Sequence, residues 1–212
     1  MRNAMNLAWR LLIIALAAGL VLGLVNEITK GPITEQNQKS ANESRFAAFP
    51  GAKAFEALRK DTENAHDFYL ALNEKGEQIG YVASSREYGY RSEIEVVVGM
   101  DLKGNIVGVV IGENGDFSET AGLGAKVKEA RFAKQFIGIK YDGTAVDYNA
   151  GGGGYIIPAG SITALEIESD GSNPDAVSGA TYSSGAVLTA FNNAASALYE
   201  LIPKGGETGG QN

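Results

Sequence analysis

The hydrophobic pattern of this chain passes through three regimes. The first regime is an uncharged apolar run from Leu11 to Val25. Taken from Leu7 to Ile28, the segment would be roughly 33 Å long as a helix at ~1.5 Å per residue, enough for a bilayer core of ~30 Å. Trp9 and Arg10 at its near end are residue types found at a membrane interface. A cleaved signal peptide needs a small-x-small site after the run, and Val25-Asn26-Glu27-Ile28 offers none. The pattern therefore predicts an uncleaved transmembrane helix. Arg2 and Arg10 precede the span, which predicts a cytoplasmic N-terminus and an extracytoplasmic remainder.

The second regime is polar. Gly31 and Pro32 are expected to punctuate the exit from the membrane, Thr34 to Phe49 has helical propensity, and Pro50-Gly51 ends it. Ala52 to Leu58 reads as another short helix, so that residues 31–58 form a helical stalk. The third regime alternates. Asp67 to Leu72 and Gln78 to Ser84 flank the turn signal Asn73-Glu74-Lys75-Gly76, and Glu93 to Met100 and Ile106 to Gly112 flank Asp101-Leu102-Lys103-Gly104-Asn105. Val96, Val97, Val98, Val107, Val109, Val110 and Ile111 are the β-branched residues of buried strands. These four strands predict an antiparallel sheet.

Glu113 to Gly124 is a long polar connection. Lys126 to Phe136 has the spacing of one amphipathic helix, with Val127, Ala130, Phe132, Ala133 and Phe136 on its apolar face. Gly151 to Gly154 predicts a loop, since no Lys-Ser/Thr pair follows to make a phosphate-binding P-loop. Ile156, Ile157, Ile162, Ala164 and Ile167 could add short strands, a helix runs from Thr181 to about Leu201 before Pro203, and the tail from Lys204 to Asn212 reads as disordered. The expected architecture is α+β: an N-terminus and transmembrane helix over 1–30, the stalk over 31–58, an extracytoplasmic domain over 59–203 with an antiparallel sheet and flanking helices, and a tail over 204–212.

Composition narrows the chemistry. The net charge of −7 and the lack of any basic run argue against a nucleic-acid partner. With no cysteine, disulfides and thiolate metal sites are excluded. The lone histidine, His66, falls at the start of a strand with no evident partner and reads as structural.

The stretch with the most chemistry is Asp175-Ala176-Val177-Ser178-Gly179-Ala180-Thr181-Tyr182-Ser183-Ser184. Ser178 is a good N-cap type for the helix that follows, Gly179 and Ala180 leave the backbone open to close approach, and Thr181 brings a hydroxyl to the first turn. A helix start of this kind suits a phosphate. A plain capped helix is the competing reading of the stretch taken alone.

This stretch resembles the flavinylation motif Asp-x-x-Ser/Thr-Gly-Ala-Thr. About sixty residues upstream, Ser118-Glu119-Thr120-Ala121-Gly122-Leu123-Gly124-Ala125-Lys126 resembles the Glu-Thr-Pro-Gly-Leu-Gly-x-Lys loop of the same FMN-binding domains, with Ala121 in place of the usual proline. Gly89-Tyr90 resembles a third element. With the single N-terminal span, the chain is similar to the G subunit of Rnf ion-translocating electron-transport complexes and, less closely, to the C subunit of Na+-translocating NADH:quinone reductases. The resemblance implies a membrane-anchored carrier with FMN held through a phosphoester to Thr181. The complex would couple electron transfer between reduced ferredoxin and NAD to Na+ or H+ translocation. Its partners would be the other Rnf subunits, and a separate flavin transferase using FAD and Mg2+ would make the bond. Ser178, Gly179 and Ala180 would line the phosphate and ribityl end. Glu119, Thr120, Leu123 and Gly124 would contact the isoalloxazine, Lys126 would place positive charge near the ring, and Tyr90 would pack against it. Leu123 could equally be core, and Lys126 a solvated lysine. An anchored envelope module without flavin is the more distant alternative.

Overall fold

The computed structural model describes residues 2–59, 62–113, 115–146 and 174–203. The readings of the four-glycine run, of strands at 156–167 and of the tail fall outside the described residues. The chain divides into two compact units, Met1–Ser40 and Ala41–Asn212.

Helix α1 covers Arg2–Ala48 and contains Pro32. Its apolar part has a mean hydropathy of 2.3 with no residue of that window buried, so by length and composition it could cross a membrane. The expected break at Gly31-Pro32 does not occur. Proline removes a single ladder bond, and the flanking threonines stay with the helix: Thr29 Oγ1 donates to the Val25 carbonyl at 2.9 Å and Thr34 Oγ1 to that of Lys30 at 2.9 Å.

The second unit is built on a five-stranded antiparallel meander in the order β1-β2-β3-β4-β5. The strands are β1 (Ala54–Arg59), β2 (His66–Leu72), β3 (Gln78–Tyr88), β4 (Glu93–Asp101) and β5 (Ile106–Ile111). Both expected hairpins form, and for the expected reason. Asn73 Oδ1 accepts the N–H groups of Lys75 and Glu77 at 2.8 and 3.0 Å, and Gly76 takes φ +77°. Asp101 Oδ1 does the same for Lys103 and Asn105 at 2.8 and 2.9 Å, with Gly104 at φ +87°.

The fifth strand corrects the sequence reading of a helix at Ala52 to Leu58. Ala54, Phe55, Glu56 and Ala57 pair with Leu72, Ala71, Leu70 and Tyr69. The open edge of β2 supplies backbone partners that helix propensity cannot outweigh. Phe55 also meets Phe46 edge-on, at 4.9 Å between ring centroids.

The sheet has two apolar faces. One packs on the end of α1, where Ala48, Phe49 and Ala52 meet Ala71, Val82 and Val97. A Cβ at Gly99 or Gly108 would collide with the Ala48 carbonyl, so these glycines permit the close approach. The larger face carries Tyr81, Ile94, Val96, Val98 and Met100 against helix α3 (Thr181–Tyr199) through Val187, Leu188, Phe191 and Leu198. Each such fully buried side chain contributes about 1.5–3 kcal/mol.

The helix expected over Lys126 to Phe136 is broken into a 3-10 turn (Gly124–Lys128), a short α2 (Ala130–Ala133) and a second 3-10 turn (Lys134–Phe136). Glu129 is extended, at φ −64° and ψ 137°. The break lets Val127, Phe132 and Phe136 all enter the same core.

Candidate functional site

Helix α3 begins later than the serine expected to cap it. Its N-cap is Ala180, at φ −125° and ψ 44°, without a side-chain cap, and Ser178 is exposed. The chain enters through a tight turn in which the Ala180 N–H reaches the Val177 carbonyl at 3.0 Å and Gly179 takes φ +76°. Ser184 secures the turn from inside the helix, its Oγ accepting the Val177 N–H at 3.0 Å. The helix start thus has no side-chain cap, and the turn before it is held by a serine from downstream while Ser178 is exposed. Thr181 is the first helical residue and is half-buried.

Above this helix start, the long β3–β4 hairpin brings its own turn, closed by the Gly89 N–H to the Ser92 carbonyl at 2.9 Å. The polar connection after β5 passes between the two, and Glu119 joins them. This residue is 8% exposed. Oε1 accepts the N–H groups of Arg91 and Ser92 at 2.8 and 3.1 Å, and Oε2 accepts the Ser183 hydroxyl at 2.7 Å. The Ser118 N–H donates to Ser92 Oγ at 2.9 Å, tying the same loop to the hairpin. Burial on its own pushes the Glu119 carboxyl upward. The N–H of Arg91, the Ser183 hydroxyl and the N–H groups of Ser92 and Tyr90 outweigh it, and the net shift is downward. Glu119 is therefore a fixed anion.

Two glycines make room for it. A Cβ at Gly89 would lie 2.6 Å from Oε1, and one at Gly124 would lie 2.5 Å from both Oε2 and Ser183 Oγ.

These segments enclose a cavity of about 330 Å3 lined by Tyr90, Glu119, Thr120, Leu123, Gly124, Gly179, Ala180, Thr181, Tyr182 and Ser183. Eight of the ten residues expected to hold the cofactor thus line one cavity. Leu123 belongs to that wall and not to the core, being 45% exposed. The other two, Ser178 and Lys126, line a neighbouring cavity of about 390 Å3 with Arg131, Phe132, Gln135, Asp175, Ala176 and Val177. Gln135 fixes that side, its Oε1 accepting the Asp175 N–H at 2.8 Å. Tyr182 and Ser183 belong to the stretch singled out in the sequence but carried no expected role there, although they are the two residues after the threonine of the motif.

The pattern of FMN-binding domains matches residues 89–196, just over half of the chain. The chain belongs to the FMN-binding domain family. The matched region begins at Gly89, under the Glu119 carboxylate, and runs into α3, so the family's pattern contains both walls of the first cavity. This FMN-binding domain protein is 33% identical over 129 residues to the G subunit of the Na(+)-translocating ferredoxin:NAD(+) oxidoreductase complex of Acetobacterium woodii, covering 55% of this chain and 61% of that one. It is 24% identical over 190 residues to the G subunit of the ion-translocating oxidoreductase complex of Methanosarcina acetivorans, covering 87% of this chain and 88% of that one. The chain spans about three-fifths of the Acetobacterium protein and most of the Methanosarcina one. Among solved structures, it is similar to the C subunit of the Na(+)-translocating NADH-quinone reductase of Parabacteroides distasonis (21% identity, 68% of this chain and 63% of that one, TM-score 0.43). It is also similar to NqrC of Shewanella oneidensis (20% identity, 70% and 66%, TM-score 0.42).

The residues present fit FMN. Small residues at Gly179 and Ala180 leave the backbone before Thr181 accessible, a helix start favours a phosphate, and aromatic side chains edge the opening. Among the described residues, no cluster of three His, Cys, Asp or Glu side chains could hold a metal ion.

Proposed function

We propose that this chain is a membrane-anchored electron-carrier subunit with FMN attached through a phosphoester to Thr181. It would act in an ion-translocating complex that passes electrons between reduced ferredoxin and NAD. The observation that carries the reading is the convergence of two motifs, distant in sequence, on one cavity: Glu119, Thr120, Leu123 and Gly124 line it together with Gly179, Ala180 and Thr181. The relatives from ion-translocating oxidoreductases support the complex; its other subunits are the expected partners. Helix α1 supplies the anchor, with Arg2 and Arg10 keeping the N-terminus cytoplasmic and the FMN domain on the opposite side.

FMN accepts and returns electrons when bound, which is the chemistry the protein side chains lack. The chain supplies position and charge. Gly179 and Ala180 would line the phosphate and ribityl end. Tyr90, Thr120, Leu123 and Gly124 would face the ring. Glu119 would hold the walls together, and Ser178 and Lys126 would act from the adjacent cavity.

Attachment needs outside help. An alcohol is a weak nucleophile without a base. Glu119, the carboxylate in the cavity wall, already accepts hydrogen bonds from Arg91, Ser92 and Ser183. Among the described residues, no histidine lines the cavity. A separate flavin transferase would therefore take the Thr181 proton as the bond from Oγ to the flavin-side phosphorus of FAD forms and the pyrophosphate bond breaks, with AMP as the leaving group.

The test is expression of the full chain beside an active flavin transferase, followed by a denaturing gel read for flavin fluorescence and mass spectrometry of the Thr181 peptide. The wild type should give a fluorescent band and an FMN-sized increment on that peptide. Thr181→Val should abolish both while its melting curve changes little. Covalent flavin at normal yield in Thr181→Val would refute the attachment site, and a dark wild-type band would refute the carrier.

A further inference from the structure

Tyr90 and Tyr182 face one another at the opening of the first cavity, one from the β3–β4 turn and one from the first turn of α3. They are 68% and 66% exposed. Their ring centroids are 6.3 Å apart and their planes meet at 45°. A flat aromatic ring in van der Waals contact with both faces would need about 7 Å, at ~3.5 Å per face. The present separation is close to that. Stacking on a flat ring would close the 45° tilt by rotation of the two side chains, without movement of the backbone.

The backbone spacing is set differently. One buried carboxylate bonds the residue after each tyrosine: Glu119 takes the Arg91 N–H at 2.8 Å and the Ser183 hydroxyl at 2.7 Å. Only glycine at 89 and 124 leaves the carboxylate its place, since a Cβ at either position would fall within 2.6 Å of one of its oxygens. Rim and strut together make a slot of fixed width with adjustable sides.

We propose that Tyr90 and Tyr182 are the two jaws of a stacking site for the isoalloxazine ring, and that the Glu119–Ser183 hydrogen bond sets the distance between them. This rests on the flavin reading given above. Tyr182 directly follows the attachment residue, so the tether would deliver the ring to its neighbour. Tyr182 is then a binding residue, and Ser183 a positioning residue that acts through Glu119.

The test uses the full chain carrying its attached flavin. A phenol stacked on a flavin quenches its fluorescence, so emission is measured per flavin absorbance. Tyr182→Leu and Tyr90→Leu should each raise that yield several-fold, and Tyr182→Trp should keep it low. Ser183→Ala should raise it by a smaller factor, because the jaws remain and only their spacing is released. Tyr88→Leu, at an exposed tyrosine outside the cavity wall, should leave it unchanged. An unchanged yield in both leucine variants at full flavin load overturns the jaws and leaves the carrier reading intact. A rise in the leucine variants without one in Ser183→Ala overturns the strut alone. A wild-type chain without flavin overturns the carrier reading and this inference with it.

Discussion

On one side of the Val177–Ala180 turn lies a cavity of about 330 Å3 whose carboxylate, Glu119, is occupied by internal hydrogen bonds and whose opening is edged by tyrosines. On the other lies one of about 390 Å3 whose wall carries Lys126, Arg131 and Asp175. Residues up to Ser178 line the second, and those from Gly179 onward line the first. The first cavity is built around a fixed anion, which disfavours a second negative charge deep inside and suits a flat, weakly charged ring. The second carries Lys126 and Arg131 against Asp175, a positive field across the turn from the phosphate end that Gly179, Ala180 and Thr181 would hold.

The comparison breaks first at Gly124. Gly124→Val places side-chain atoms onto Glu119 Oε2 and Ser183 Oγ, which are buried and bonded to each other and cannot both yield. Overpacking of this kind costs about 1–3 kcal/mol, and most of the flavin load should go with it. Chemical denaturation with flavin absorbance of the purified chain checks both. Full loading at an unchanged midpoint would show that the first cavity is softer than its hydrogen bonds imply.

Glu119→Gln sharpens the comparison through pH. A carboxyl whose folded pKa is depressed contributes stability above its unfolded pKa and loses it as pH falls through the folded value. The wild type should exceed Glu119→Gln by about 2 kcal/mol at neutral pH, the scale of hydrogen bonds to a charged group. The gap should close as pH drops below the ordinary glutamate range, because burial is outweighed by the bonds from Arg91, Ser183, Ser92 and Tyr90. Urea melts from neutral to strongly acid pH measure it, and a gap independent of pH would mean that the charge is not what stabilises.

The smallest effect belongs to the second cavity. Lys126→Gln should change stability by less than about 0.5 kcal/mol, as for other substitutions away from a packed core. Its signature is electrochemical. Removing a cation should lower the flavin midpoint potential, removing the Glu119 anion should raise it, and the Glu119 shift should be the larger because that charge lies in the wall facing the ring. Shifts of the same sign in both variants would contradict the division of charge between the cavities.

The antiparallel hairpins, the long C-terminal helix and the apolar N-terminal helix were all legible in the chain itself, while the grouping of Glu119, Thr120, Leu123 and Gly124 with Gly179, Ala180 and Thr181 was implied by the resemblance of two separate motifs to FMN-binding domains. The three elements rest on local chemistry that acts within a few residues: Asn73 and Asp101 bonding their own turns, glycines at positive φ, and unbroken apolar spacing.

What the tertiary structure decided was less local. Ala54–Arg59 became a strand because β2 offered an unpaired edge. Gly124 to Phe136 broke at Glu129 because Val127, Phe132 and Phe136 share one core that a straight helix would not reach. Ser178 faces outward while Ser184 secures the turn, since Gly179 at φ +76° redirects the chain. Lys126 fell into the cationic cavity, and Ser183 became the partner of a carboxylate 64 positions away. Local propensity fixes turns and helix starts at nearly any distance from the core. Which side chain meets which carboxylate depends on how separate segments pack, and that energy exists only once they have met.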